Sequence, residues 1–322
     1  MGKYIVRRIL MMIPVILCVV FVVFMILRLS PNDPIRTVLG DMASDQEVEE
    51  MREEMGLNDP LPTQFAEYIG NIVTKFDFGE SYVNRHPVTE EIGGRFPITL
   101  QLAIFSCLLA ALIGIPLGMI SACHQYGLLD NVSSVLALIF LAMPEFWFAL
   151  MLIIVFAQHL ELLPASGWYG IKYMILPIIA TGTGCIAGIM RTTRSNMLEV
   201  IRQDYIRTAR AKGLKENVII GKHALRNALI PVVTLMGMQF GKMLGGVFVI
   251  ETIFAIPGMG KMLVDACTIK NIPVVQGGVI FIAIVYGFVN LAIDIIYGFI
   301  DPRISSMYKG KKREKKGELA NG

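Results

Sequence analysis

Apolar positions along the chain gather into six long runs: Ile9–Leu27, Ile98–Cys123, Val132–Ala157, Tyr173–Met190, Leu229–Ile250 and Val274–Phe299. A helix rising ~1.5 Å per residue needs about 20 mostly apolar residues to cross ~30 Å of hydrocarbon. Each run therefore predicts one transmembrane helix, and together they predict an all-α polytopic membrane protein. The first run has the basic leader of a secretory signal. Its apolar stretch is too long for one, however, and Leu27-Arg28-Leu29 offers no small-residue cleavage site, so it is expected to stay as a span.

The polar segments between the runs set the orientation. Six spans place both termini on one side, and Lys and Arg concentrate on the cytoplasmic side of a membrane. Segments 1–8, 124–131, 191–228 and 301–322 hold 19 of the 29 Lys and Arg; the alternate segments hold nine, or three once the long segment 28–97 is set aside. Both termini are thus expected in the cytoplasm. The expected organisation is a first segment and span over 1–28, an extracytoplasmic helical insertion over 29–97, a five-helix core over 98–300 and a basic tail over 301–322. The insertion carries 14 acidic residues between Ser30 and Phe96, and its stretch "SDQEVEEMREEMG" opens on a capping box, Ser44 to Glu47, with a helix stop near Gly56. The tail reads as a juxtamembrane segment drawn to anionic lipid.

Composition agrees with a lipid-facing chain: 54% of residues are hydrophobic and 17% charged, and the mean hydropathy is +0.60. A soluble domain carries about 25% charged residues. Five cysteines fall singly and four histidines lie far apart, so neither a disulfide framework nor a zinc site is expected. No nucleic-acid partner is expected either.

The cationic inner segment 191–228 interrupts this apolar pattern. Leu198, Ile201, Tyr205 and Ala209 recur at spacings of three and four, predicting one helical stripe, and Gly213 stands where a glycine would stop the helix. A second helix over Glu216–Asn227 leads back to the membrane near Pro231. The charge alone would serve as a topology signal with a helix in the interface. The sharp glycine turn also suits a rigid knob that docks into a cleft on a partner.

Here the text "RTARAKG" (207–213) followed by "KHALRNALIPVVT" (222–234) resembles the coupling loop of bacterial ABC-importer membrane subunits, in the dipeptide/oligopeptide/nickel permease family. The resemblance continues in "MGLNDPLPTQFAEYIG", "FDFGESYVNRHPVTEEIGGRFPITLQLA", "LPASGW", "GGVFVIETIFAIPGMGKMLVDA" and "DPRI", in order from Met55 to Ile304. Of the general family loop, Glu-Ala-Ala with a later Gly and Leu-Pro, only Ala209, Gly213 and Leu225 match; Arg207, Thr208 and Arg226 follow the peptide-permease branch. The resemblance implies ATPase-coupling roles for Asp204, Arg207, Thr208, Ala209, Ala211, Gly213, Leu214, Leu225 and Arg226. It also implies the partners: a second homologous permease subunit, two ATPase subunits and an extracytoplasmic substrate-binding protein, assembled in the lipid bilayer of the cell membrane. No cofactor is expected on this chain, with ATP and Mg bound by the ATPase subunits. Consistent with that, "PGMGKM" fails the phosphate-loop pattern at Ala255 and Met262, and "GTGCIAG" lacks the spacing of a dinucleotide fingerprint.

Ionisable groups inside spans face a cavity or a partner. Glu145 and Lys242 each lie 13 residues from the inner end of their runs, at ~20 Å depth on a straight helix, whereas Asp294 lies five residues from its inner end. Glu145 and Lys242 are therefore expected either to pair or to line the central passage together, against the simpler reading that Glu145 faces water beside Pro144. Gln239 is a further path candidate, and Gln276 and Asn290 are expected chiefly to bond across helices. By resemblance, Glu251, Pro257, Gly258 and Gly260 belong to an outer gate; a plain re-entrant connection is the alternative. Gly182, Gly184 and Gly188 are expected to permit close helix packing.

Two rival classes are weaker. Intramembrane protease patterns are absent, and an ion-driven secondary transporter needs no docking loop and is often built from internal repeats, of which none is visible. The expected cargo is a di- or oligopeptide, with nickel or a metal chelate as the alternative.

Overall fold

A computed structural model describes residues 2–29, 34–40, 43–54, 56–245 and 247–300. The basic tail over 301–322 and the "DPRI" string lie outside the described residues. The helices run in the order α1 (Gly2–Arg28), α2 (Pro34–Leu39), α3 (Asp45–Glu54), α4 (Leu61–Lys75), α5 (Val88–Cys123), α6 (Leu128–Ala142) and α7 (Glu145–Leu152), then α8 (Ile171–Ile201), α9 (Asp204–Ala211), α10 (Glu216–Val218), α11 (Leu225–Leu244), α12 (Phe248–Ile253), α13 (Met259–Thr268) and α14 (Ile272–Ile300). Two wide π-type turns, Ile153–His159 and Ile219–Ala224, extend α7 and join α10 to α11.

Five helices are long and apolar enough to cross a membrane, and α6 with the α7 segment forms a sixth, broken candidate. The third apolar run was expected as one span over Val132–Ala157. Instead the chain bends by 103° between Leu128–Ala142 and Glu145–His159. Pro144 is the cause: it has no N–H to continue the helix and its ring forces Met143 out of the helical region, to φ −78° and ψ 127°. The fifth run also breaks. It was expected to continue to Ile250, yet α11 ends at Leu244 with Gly245 as its cap, and α12 starts afresh.

The helix pair α5 and α8 is the most extensive packing in the bundle. Small residues on α5 make the contact: Ala103, Ser106, Ala110, Gly114 and Gly118 are all buried and recur every three or four positions. A methyl group at Gly114 would stand 2.9 Å from the Ile186 carbonyl oxygen, and one at Gly118 would stand 2.5 Å from that of Met190. In lipid, where apolar burial no longer drives helices together, such close backbone approach supplies the dispersion energy that does. On α8, Gly182 faces the Ser106 backbone at 3.3 Å, but Gly184 faces open space and Gly188 meets only Leu235 at 3.8 Å. The close-packing role thus belongs to Gly182 and to the α5 glycines, not to Gly184 or Gly188.

At the basic end of the bundle the same pair is locked by charge. Asp130 on α6 is buried, and Arg194 on α8 donates to both of its oxygens, from Nε at 2.5 Å and Nη2 at 2.8 Å. Ser121 Oγ on α5 and the Tyr126 amide donate to the same carboxylate at 2.5 and 2.8 Å. Three helices therefore meet on one carboxylate, and sequence reading had given neither partner a role.

The insertion folds as expected where local chemistry dictates it. Ser44 and Glu47 form the reciprocal capping box, with Ser44 N donating to Glu47 Oε2 at 2.8 Å and Glu47 N to Ser44 Oγ at 3.3 Å. Gly56 takes the left-handed conformation, φ +62°.

Removing one partner of a buried, hydrogen-bonded ion pair leaves a stranded charge that costs roughly 3–5 kcal/mol. Asp130→Ala is expected to lower the thermal stability of the purified protein sharply. The double variant Asp130→Ala/Arg194→Met is expected to recover part of it, as measured by heating followed by gel filtration.

Candidate functional site

The break at Pro144 makes Glu145 the first residue of α7, and there it meets α11 and α8. Glu145, Thr181, Cys185, Gln239, Lys242, Met243 and Val247 line one cavity of about 60 Å³. Three residues singled out from the sequence thus converge. No ion pair joins Glu145 to Lys242 within 4.0 Å among the described residues; the two share a cavity without closing on each other. Both are exposed on this chain, as are Phe146, Trp147 and Met238 beside them, each 44% or more. The Thr181 hydroxyl is buried with no hydrogen-bond partner among the described residues, so the cavity holds a free donor as well as two opposite charges. Neither Thr181 nor Cys185 carried a signal in the sequence, because both sit in an ordinary apolar run.

The other intramembrane carboxylate, Asp294 on α14, pairs with Arg8 on α1 at 3.0 Å. Asn290 donates to the Tyr286 carbonyl of its own helix at 3.0 Å, not to a neighbouring helix.

Glu251, Gly258 and Gly260 come together elsewhere, inside the chain. Glu251 is fully buried on α12 and its carboxylate lies over the first turn of α13. It accepts from Thr99 Oγ1 on α5 at 2.6 Å and from the Lys261 amide at 2.9 Å, and the Gly260 amide also donates to it. Thr99 Oγ1 in turn accepts from the Met259 amide at 2.9 Å. A negative group at a helix N-terminus is favourable because it meets unpaired N–H groups and the positive end of the helix dipole. Burial pushes the Glu251 carboxyl above its ordinary range, opposed by these donors. The glycines are required by space: a methyl group at Gly260 would stand 2.6 Å from the Phe248 Cα, and one at Gly258 would overlap the Glu251 carboxylate. Pro257 is exposed beside this node. The "ETIFAIPGMGK" text is therefore a clasp joining α12 and α13 to α5, apart from the cavity that holds Glu145 and Lys242.

At the basic end, α8 continues for three turns beyond its expected end at Met190, then stops at Arg202, and Gln203 in extended conformation starts α9. This interruption resets the helical phase. The stripe expected through Tyr205 falls instead on Ile206, fully buried, with Ala209, in a small core with Met197, Ile219 and Ala224. Tyr205 is 43% exposed, and its hydroxyl accepts from Asn227 Nδ2 at 2.8 Å. The opposite face of α9 presents Asp204, Arg207, Thr208 and Ala211 to solvent, followed by Leu214. Arg210 crosses the turn to Glu216 with bonds of 2.7 and 3.2 Å. Gly213 at φ +77° makes that turn; nothing lies within 4 Å of where its Cβ would be, so backbone conformation alone demands glycine. Leu225 is half-buried against the small core and Arg226 is exposed. The expected second helix over Glu216–Asn227 is continuous with the fifth span through the π-type turn, so the knob is rigidly joined to α11.

The family described as binding-protein-dependent transport system inner membrane component matches residues 114–306, and its N-terminal counterpart matches residues 1–103. The chain is 41% identical to a dipeptide transport system permease protein of Alkalihalophilus pseudofirmus and 41% identical to an oligopeptide transport system permease protein of Bacillus subtilis. It is 39% identical to a glutathione transport system permease protein of Pectobacterium atrosepticum. Each alignment covers 94% of this chain and 99% of the relative. Among solved structures, the fold is similar to a chain of the MetNI methionine ABC transporter in an inward-facing conformation, with a TM-score of 0.54, 19% identity, and coverage of 66% of this chain and 97% of that one.

Glu251→Ala would strand three donors, at about 1–3 kcal/mol for each buried group left unpaired. It is expected to open residues 248–268 to protease in the purified protein, while Glu251→Gln, which keeps one acceptor oxygen, opens them far less.

Proposed function

The chain belongs to the family of binding-protein-dependent transport system inner-membrane components, and from that premise we propose that it is the permease subunit of an ATP-driven importer for di- or oligopeptides. The chain works as a multi-pass membrane protein and catalyses no reaction itself; ATP and Mg belong to two separate ATPase subunits. A second homologous permease subunit completes the path, and an extracytoplasmic binding protein supplies the cargo.

The observation that carries this reading is the face of α9. Asp204, Arg207, Thr208 and Ala211 recur at the spacing of one helical face, exposed, while Ile206 and Ala209 anchor the reverse face in a core. A helix braced on one side and bare on the other is built to be pushed. Movement of a docked ATPase would pass through Gly213 and the Arg210–Glu216 bridge into α11, which carries Gln239 and Lys242 into the cavity. An ion-driven carrier has no use for such a lever.

A di- or oligopeptide cargo agrees with the charges of the cavity. At about 60 Å³ it is too small to enclose a peptide on this chain alone, but its positive and negative groups are not paired with each other among the described residues, which suits one wall of a path for a ligand bearing an ammonium at one end and a carboxylate at the other. The relatives near 40% identity are named for dipeptide, oligopeptide and glutathione, and none of these names points to the alternative cargo of nickel or a metal chelate. The exposed mouth of the cavity, with Phe146, Trp147 and Met238, is the surface offered to the second permease subunit. The Glu251 clasp serves as the fixed frame of the outer gate, with Pro257 at its exposed edge.

Affinity purification of the tagged chain from its native membrane in mild detergent is expected to recover ATPase subunits. Arg207→Glu and Gly213→Val are each expected to lower that recovery at least tenfold with the chain still inserted; a chain that comes out alone would remove the importer reading. Glu145→Gln and Lys242→Met are each expected to slow peptide uptake several-fold. Because the two are not paired, their losses should multiply in the double variant, as measured in reconstituted vesicles.

A further inference from the structure

A second cavity, of about 280 Å³, lies at the opposite end of the bundle from the basic loop, between the end of α1, the insertion and the start of α14. We propose that it binds the phosphate of an anionic phospholipid headgroup. Arg28, Arg85, Tyr68, Tyr82, Gln276 and Glu80 all contribute to its lining. Neither arginine has a carboxylate within 4.0 Å among the described residues, and the Glu80 carboxylate, exposed at the rim, pairs with neither. Arg28 is half-buried, and its guanidinium stacks over the Phe24 ring at 5.4 Å from the ring centre. Arg85 is exposed at the rim, and the partly desolvated Arg28 guanidinium, with no counter-ion beside it, gains from an anion in the cavity.

The neutral groups point to the same chemistry. Gln276 is 6% exposed, and among the described residues its amide nitrogen has no hydrogen-bond partner and the buried Tyr68 hydroxyl has none. Both can donate, as can both arginines, so the free valences call for one ligand rich in acceptor oxygens.

The site is preformed. The loop carrying Tyr82 and Arg85 closes on itself through Ser81 N to the His86 carbonyl at 2.9 Å and Val88 N to the Gly79 carbonyl at 2.9 Å. Buried Asn271, just before α14, clamps it, accepting from the Tyr82 amide at 3.0 Å and donating to Ser81 Oγ at 2.8 Å. The loop is thereby fixed to the helix that carries Gln276.

Position selects the source of the phosphate. Arg28 closes the 24-residue apolar span Ile5–Arg28, and Gln276 lies in the second turn of the span Ile272–Ile296. Both therefore stand where hydrocarbon gives way to headgroups, a level also favoured by Tyr. The charge bias assigns this end to the exterior, so the lipid is one of the outer leaflet.

The complex purified with its ATPase subunits, in a detergent containing equal phosphatidylglycerol and phosphatidylcholine, tests this by native mass spectrometry. The wild-type complex is expected to retain phosphatidylglycerol preferentially, and Arg28→Gln/Arg85→Gln to retain at least tenfold less, with phosphatidylcholine unchanged. Arg28→Lys, which keeps the charge, is expected to hold most of the lipid and so separates charge from misfolding. Equal retention by wild type and the double variant would overturn the proposal. So would thermal stabilisation of the wild type by inorganic phosphate without lipid retention, which would mark a site for a soluble anion. Loss of binding-protein docking in the double variant, with no lipid retained by the wild type, would mark a protein contact instead.

Discussion

The close approach of α5 and α8 is the contact on which the rest of the molecule depends. It exists because Gly114 and Gly118 present bare backbone; at one end the Asp130 carboxylate ties the two helices together, and toward the other the Glu251 carboxylate ties α5 to α12 and α13. The two ends follow the same logic. A single buried carboxylate collects donors from helices that apolar surface alone would not hold in register, since lipid is as apolar as the side chains it replaces. The Asp130 node joins α5, α6 and α8, and the Glu251 node joins α5, α12 and α13. Between them the pair is a rigid spine.

Around the spine, helices are broken where polar groups must reach the interior. Pro144 turns the third apolar run and delivers Glu145 to a cavity, and Gly245 ends α11 one turn beyond Lys242. Irregular backbone at membrane depth is tolerated where it lines a cavity or is enclosed by protein. The breaks therefore bring Glu145 and Lys242 to one cavity, while the long helices α5, α8 and α14 run without such a break. The helical knob at the basic end is joined to the bundle without such a break. α10, the π-type turn and α11 form one continuous helix, and the Arg210–Glu216 bridge ties α9 to it.

The chain also treats its two membrane surfaces differently. On the basic side, Arg210 and Arg194 are paired with carboxylates, and Arg207 stands 3.9 Å from Asp204 on the exposed face of α9. On the opposite side, Arg28 and Arg85 line a hollow in which, among the described residues, no carboxylate lies within 4.0 Å of either, Glu80 standing at the rim.

Much of this was legible in the sequence, for local reasons. The apolar runs, the capping box at Ser44 and the stop at Gly213 each depend on residues near one another in the chain, so length, spacing and glycine chemistry suffice to read them. The family resemblance was likewise carried by ordered strings of text. What only the tertiary structure decided are matters of phase and of meeting. An extended Gln203 shifted the buried position from Tyr205 to Ile206, and a proline gave a bend whose direction no local rule supplies. Asp130 with Arg194, Arg8 with Asp294 and Thr99 with Glu251 are separated by 64 to 286 residues, and nothing in a single sequence marks them as partners. Their pairing is fixed by the packing of glycine against backbone, a property of two surfaces together and of neither strand of text alone.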